Sequence, residues 1–162
     1  MIYFIFRHAQ TFKTKYSIPY KEKIKTARIL PEGIPAIKGL SKYLKEKIID
    51  SYYTSPFIRC TQTAKIISQI TGRAFVNDER LGEFMEPKET FDQLKSRVQN
   101  FLQDLEKEGG KCLAICTHGA VISALKHLIT TGIYELENLP DYPDPGILLK
   151  IKNKKTNYFD FN

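Results

Sequence analysis

The sequence predicts an α/β fold: a three-layer α/β/α sandwich around a mostly parallel central sheet, built by one domain over residues 1–162. Two observations lead there. Segments with strand and helix character alternate along almost the whole chain. The clearest strand candidates, Ile2–Phe6 and Cys112–Cys116, are unbroken apolar runs, as a strand covered by helices on both faces requires.

Ile2-Tyr3-Phe4-Ile5-Phe6 opens the sheet. A polar, Lys-rich stretch of about twenty residues follows, too long for a plain connection and therefore a candidate functional loop. Pro31-Glu32-Gly33 starts a helix whose apolar positions Ile34, Ile37, Leu40, Leu44 and Ile48 recur at helical spacing. Asp50–Ser55 reads as a short second strand. Ser55-Pro56 then offers an N-cap and a proline at the first helical position for a helix carrying Ile58, Ala64, Ile66, Ile67 and Ile70, which stops at Gly72. Ala74–Val76 is a brief third strand, and Asn77–Pro87 a loop.

The next helix places Phe91, Leu94, Val98, Phe101, Leu102 and Leu105 on one stripe and ends at Gly109-Gly110. Cys112–Cys116 is the second buried strand. Gly119–Ile129 is an apolar helix closed by Gly132, and Ile147–Ile151 and Tyr158–Phe161 finish the chain as strands around Asn153–Asn157.

Composition narrows the function. With 42% hydrophobic and 12% aromatic residues the chain can bury a real core, so it needs neither metal nor disulfide to fold and is not a disordered polymer. No apolar run reaches the ~20 residues of a membrane span. Ile2–Phe6 meets Arg7-His8 too early for a secretory core. Cys60, Cys112 and Cys116 form no disulfide framework and no C-x-x-C pair, which points to a reducing, cytoplasmic setting. A metal site of Cys112, Cys116 and His118 lacks a fourth ligand nearby, so core thiols are the simpler reading.

The net charge is +7, and six basic residues against one acidic residue between Phe12 and Pro31 supply +5 of it. Most of the basic residues are lysines, and no helix-turn-helix, zinc finger or RNP pattern is present, which argues against nucleic acid. A solvated lysine surface, or steering of an anionic substrate, accounts for the charge.

In such a sheet ligands bind beyond the carboxyl ends of the strands. The first strand runs into Arg7-His8-Ala9-Gln10-Thr11, the second into Ser55-Pro56-Phe57-Ile58-Arg59, and the Cys112–Cys116 strand into Thr117-His118-Gly119. Two of the chain's three histidines therefore stand at one edge. A lone histidine there is commonly structural, but two with arginines beside them make an anion hole suited to phosphate. His127 reads as an ordinary helix-face residue. No phosphate-cradling glycine loop, no cysteine with an arginine six positions later and no two-metal carboxylate cluster is present, which leaves histidine as the candidate nucleophile.

These segments resemble the motifs of the histidine phosphatase (phosphoglycerate mutase-like) superfamily. Arg7-His8-Ala9-Gln10-Thr11 is similar to R-H-G-x-T, Ser55–Ala64 to S-P-x-x-R-A-x-Q-T-A, Thr117–Ile122 to S-H-G-G-x-I, and Leu30–Gly33 to L-T-x-x-G. The resemblance implies a phosphoglycerate mutase-like fold and a metal-independent phosphatase, without cofactor, acting on a phosphorylated small molecule or a phosphoprotein. It implies His8 as the nucleophile that becomes phosphohistidine, with Arg7, Arg59, His118, the Gly119 helix start and Thr14 around the phosphoryl group. Its ring should hold one nitrogen on a backbone carbonyl. Glu83 matches the family's acid that protonates the leaving oxygen, with Glu79 and Glu86 as solvated competitors.

Ala9, Gln10 and Cys60 stand where Gly, Glu and Ala are usual, and the family's G-x-W-E-G is absent. Mutase members carry Asn where this chain has Thr14, followed by an R-x-Q-G segment missing here, so hydrolysis is favoured over mutase transfer. Arg28 before Leu30-Pro31 is similar to the small bacterial phosphohistidine phosphatases. Fewer than sixty residues separate the second motif from the third, which predicts an open pocket with the Lys13–Lys25 loop facing substrate. A phospho-ligand binding module without turnover is the alternative of a different class.

Overall fold

A computed structural model describes residues 1–162. Four parallel strands form the centre: β1 (Ile2–Arg7), β2 (Ser51–Thr54), β3 (Val76–Asn77) and β4 (Cys112–Thr117). Two antiparallel strands, β5 (Ile147–Lys152) and β6 (Lys155–Asp160), extend one side. The spatial order is β3-β2-β4-β1-β5-β6, a six-stranded and mostly parallel sheet.

The alternation of side chains along β1 sorts them into two cores. Tyr3 and Ile5 face one layer, made by α4 (Phe91–Glu108) and α5 (Gly119–Thr130), through Leu94, Val98, Phe101, Val121 and Leu125. Phe4 and Phe6 face the other layer, made by α2 (Ile34–Lys45) and α3 (Ile58–Thr71), through Ile37, Leu40, Leu44 and Ile67. Both faces of β1 and β4 are thus dry, which explains their unbroken apolar runs. No helix is long and apolar enough to cross a membrane.

Several local expectations change. The Lys-rich stretch is not one irregular loop. It holds a five-residue helix, α1 (Phe12–Tyr16), whose Thr11 cap accepts from the Thr14 amide, and a 3₁₀ turn at Lys21–Lys23. Helix α2 ends at Lys45, and Ile48 lies outside it, exposed at 91%, because the turn that returns the chain to β2 points it to solvent. Helix α3 starts at Ile58 and not at Ser55-Pro56. Ser55 continues the β2 ladder, its amide donating to the Cys116 carbonyl. Its hydroxyl accepts from the Phe57 amide at 3.3 Å, but the helix begins only after Phe57, which holds the N-cap position.

Strand β3 is shifted to Val76–Asn77, and β6 begins at Lys155. Asn153 and Lys154 at φ 51° and 62° form a two-residue hairpin turn, much shorter than the segment expected. The Gly72 and Gly109 helix stops stand as read, both left-handed at φ 71°.

Candidate active site

Three neighbouring strands deliver their ends to one place. In register, Arg7 lies opposite Thr117 and Thr54 opposite Cys116, and the next residues, His8, His118 and Ser55, leave the sheet together. The His8 amide still donates to the Thr117 carbonyl at 3.1 Å. This places the two imidazole rings 5.3 Å apart, both fully buried. Arg59 reaches the same point from the first turn of α3 and is also fully buried.

Each group is held by protein partners. His8 Nδ1 lies 2.8 Å from the Ala9 carbonyl, so that nitrogen carries the proton and donates, while Nε2 is buried with no protein partner. Thr63 accepts from the Ala9 amide at 2.9 Å and donates to the Arg59 carbonyl at 2.7 Å, tying the His8 turn to α3. His118 Nε2 meets Ser55 Oγ at 2.8 Å, and its Nδ1 stands 3.6 Å from Glu83 Oε2. Arg59 Nη1 donates to the Ile24 carbonyl and Nη2 lies 3.4 Å from Glu83 Oε2. Arg7 Cζ stands 5.0 Å from the centroid of the Tyr142 ring, which rests on Gly119 so closely that a Cβ there would meet it at 2.6 Å.

Electrostatics follow from burial. The His8 imidazole is held well below the usual histidine range, first by burial and then by the guanidiniums of Arg59 and Arg7. His118 is lowered likewise by burial, Arg59 and His8. Both rings are therefore neutral near pH 7. His8, Glu83 and His118 bring ligand atoms within 4.8 Å of one another, a spacing that a metal ion spans, yet two guanidiniums at the same point favour an anion. The Nε atoms of Arg7 and Arg59 share with His8 Nε2 the condition of being buried without a protein partner. Buried polar nitrogens of this kind want an oxygen-rich ligand.

The model of the histidine phosphatase superfamily (branch 1) matches the chain over residues 3–86 and 84–144. The chain belongs to that superfamily. This histidine phosphatase is 26% identical to a protein of Hydrogenobacter thermophilus that carries the provisional name phosphoserine phosphatase 2, over 84% of the chain and 81% of the relative. Its fold is that of a provisionally assigned α-ribazole-5′-phosphate phosphatase from Escherichia coli K-12, with TM-score 0.82, 16% identity and coverage of 100% and 96%. The protein histidine phosphatase SixA, solved with tungstate, superposes with TM-score 0.69 at 16% identity over 98% and 94% of the two chains.

Among the residues singled out in the sequence, the fold of this histidine phosphatase brings together Arg7, His8, Arg59, His118 and Glu83, with Gly119 at their rim. Glu83 is 8% exposed, whereas Glu79 and Glu86 are exposed. Thr14 is not part of the cluster's hydrogen bonding. Its hydroxyl accepts from the Thr11 amide at 2.8 Å and donates to the Thr11 carbonyl, which commits it to the α1 cap. Arg28 is exposed.

The Cys112–Cys116–His118 metal arrangement is ruled out by distance. At ~3.3 Å per residue, β4 holds Cys112 at the opposite end of the sheet from His118. Cys60 lies fully buried, its Sγ 3.5 Å from His118 Nε2, with burial pushing its thiol pKa up. His127 pairs at 2.7 Å with Asp141, away from the cluster.

Four contributors were missed: Ser55 as the partner of His118, Tyr20 and Ile24 against Arg59, and Tyr142 over Arg7. In the sequence Ser55 fits a helix-start pattern, which gives no sign of a contact with His118. The other three come from loops, where no periodicity marks a buried face. The only local sign of Tyr20 is an aromatic residue amid lysines.

Proposed function

We propose that this chain hydrolyses phosphomonoesters, or phosphohistidine on a protein, through a phosphohistidine formed on His8, with no metal ion in either step. One observation carries the reading: His8 presents a buried, unpartnered Nε2 while the Ala9 carbonyl holds the proton on Nδ1. A neutral imidazole fixed in that tautomer has its lone pair available for attack.

In the first step the Nε2 lone pair forms a bond to phosphorus as the bond to the ester oxygen breaks, and Glu83 gives its proton to the departing alkoxide. Arg7, Arg59 and neutral His118 donate to the equatorial oxygens, where charge must be held as the transferring group loosens. In the second step Glu83 takes a proton from water. The water oxygen bonds to phosphorus, the P–N bond breaks, and inorganic phosphate leaves His8 as it was. The positive end of α5 at Gly119 adds to the oxyanion's stabilisation. SixA's tungstate is a tetrahedral oxyanion, and the phosphatase names among the relatives agree in class.

The test is 4-nitrophenyl phosphate hydrolysis in excess EDTA, for wild type and His8→Ala, with acid-quenched phosphoenzyme measured in the same samples. Turnover that survives EDTA and vanishes with the phosphoenzyme in His8→Ala is expected. A folded protein that binds tungstate yet forms no phosphoenzyme with any ester would make it a binding module. Sensitivity to EDTA reversed by a divalent cation would refute the metal-free mechanism.

A further inference from the structure

If His8 attacks phosphorus, the departing group lies on the Glu83 side, since the acid must reach the bridging oxygen. That side opens into a hollow of about 250 Å³ that also touches Arg7 and Gly119. Its remaining walls decide which alcohol fits. Ile24, Phe84, Leu139, Pro140 and the Tyr142 ring supply them, and Lys13 is the one further charge. The hollow contains no Asn, Gln, Ser, Thr or Asp side chain.

A polyol entering it would leave water with several hydroxyls and find only Lys13 and the Tyr142 hydroxyl beyond the groups that serve the phosphate and the bridging oxygen, whereas an aromatic or alkyl group would trade water for apolar contact. An amino-acid ester would bring an α-carboxylate that Lys13 and Arg7 attract, but also an ammonium for which Glu83, already beside Arg59 and His118, is the only carboxylate in the hollow. Asp144 belongs to the adjoining hollow beyond Lys13 and Tyr142. Phe84 and Leu139 are themselves packed against the α4–α5 core, so these walls are held in shape.

We infer that this leaving-group hollow selects phosphate esters of apolar alcohols, aryl or arylalkyl, over esters of polyols and of amino acids. The inference rests on the assignment of His8 and Glu83 made above, and it sets the chain apart from the substrate in the name of its Hydrogenobacter relative.

Three primary-alkyl esters of comparable intrinsic reactivity test it: 2-phenylethyl phosphate, glycerol 3-phosphate and O-phosphoserine. The phenylethyl ester should show a kcat/KM about tenfold or more above either of the others. Phe84→Ser and Leu139→Ser should each lower its kcat/KM about tenfold while leaving glycerol 3-phosphate within about twofold. Phosphoenzyme formation from 4-nitrophenyl phosphate reports that each variant is folded. A glycerol or serine ester equal to or better than the phenylethyl ester, with phosphoenzyme still forming on His8, overturns this inference alone. Absence of phosphoenzyme with every ester overturns the mechanism beneath it, and this inference with it.

Discussion

Tyr20 stacks its ring on the buried guanidinium of Arg59, with Cζ 4.2 Å from the ring centroid, and its hydroxyl meets Thr11 Oγ1 at 2.7 Å. Together with the Ile24 carbonyl on Arg59 Nη1 and the Lys25 carbonyl on the Ile58 amide, this straps the Lys-rich segment across the start of α3. The segment therefore positions the buried Arg59 guanidinium as well as facing solvent with its lysines. A desolvated cation–π contact contributes about 2 kcal/mol. Tyr20→Ala is expected to weaken competitive inhibition by tungstate about tenfold or more, whereas Tyr20→Phe, which keeps the ring, stays within about threefold. Equal losses in the two variants would assign the effect to the hydroxyl and not to the stack.

Glu83→Gln keeps the size of the side chain and removes its acid function. Loss of general acid catalysis costs typically ~10²–10⁴ in rate, and the cost grows with the basicity of the leaving oxygen. The variant should lose at least about a hundredfold in kcat on an alkyl phosphate, and much less in phosphoenzyme formation from 4-nitrophenyl phosphate, whose leaving group needs no proton. Burst kinetics on the two esters measure the difference. Equal losses would show that Glu83 acts on the phosphoryl group and not on the leaving oxygen.

Gly33 is needed for space and not for its dihedral angles, since its φ of −82° suits any residue. A Cβ there would stand 2.6 Å from the Gln10 amide nitrogen and 2.9 Å from Gln10 Cβ. The Leu30 amide donates to the Gln10 carbonyl at 2.7 Å, so the two segments are already drawn tight. Gly33→Ala must push Gln10 aside, two residues from His8. Overpacking of this kind costs roughly 1–3 kcal/mol. Denaturant unfolding should report that loss, and kcat should fall with it as the His8 turn moves.

Stability should fall as the solution is acidified. His8 and His118 are held well below the free histidine value of 6.5 in the native protein, so below that pH the unfolded chain binds protons that the native chain refuses. Their contribution is complete above pH 6.5 and is lost on descending from it, at up to about 2.7 kcal/mol per pH unit for the pair. Between pH 7 and 5.5, in buffer without phosphate, wild type should lose about 1 kcal/mol more unfolding free energy than His8→Asn, which lacks one of the two sites. Parallel pH curves for the two proteins would mean that His8 titrates normally in the folded state.

Much of this molecule was legible locally. The stripe on α4, the two dry strands and the left-handed glycine stops were readable because periodicity and turn chemistry act between residues close in sequence. The errors fall where a residue had two local uses. Ser55-Pro56 satisfies the pattern of a helix start, but the ladder bond to Cys116 and the contact with His118 claim Ser55 for the strand end. Thr14, expected at the phosphate, is taken by the α1 cap three residues from Thr11.

By itself the sequence determined which groups the site has to work with. Arg7-His8, Arg59 and Thr117-His118 each stand at a strand end or in a first helical turn, positions set by short-range patterning, whereas Glu83 lies in the loop before α4 and is marked in the sequence by the family resemblance alone. Only the tertiary structure decided that β1, β4 and β2 are neighbours, so that residues 110 positions apart share one 5.3 Å contact between rings. It also decided the environment: which histidine nitrogen is free, which ring covers Arg59, and that apolar loop residues wall the hollow beside Glu83. Burial and pairing across long sequence separations arise from packing of the whole chain, and no local pattern encodes them.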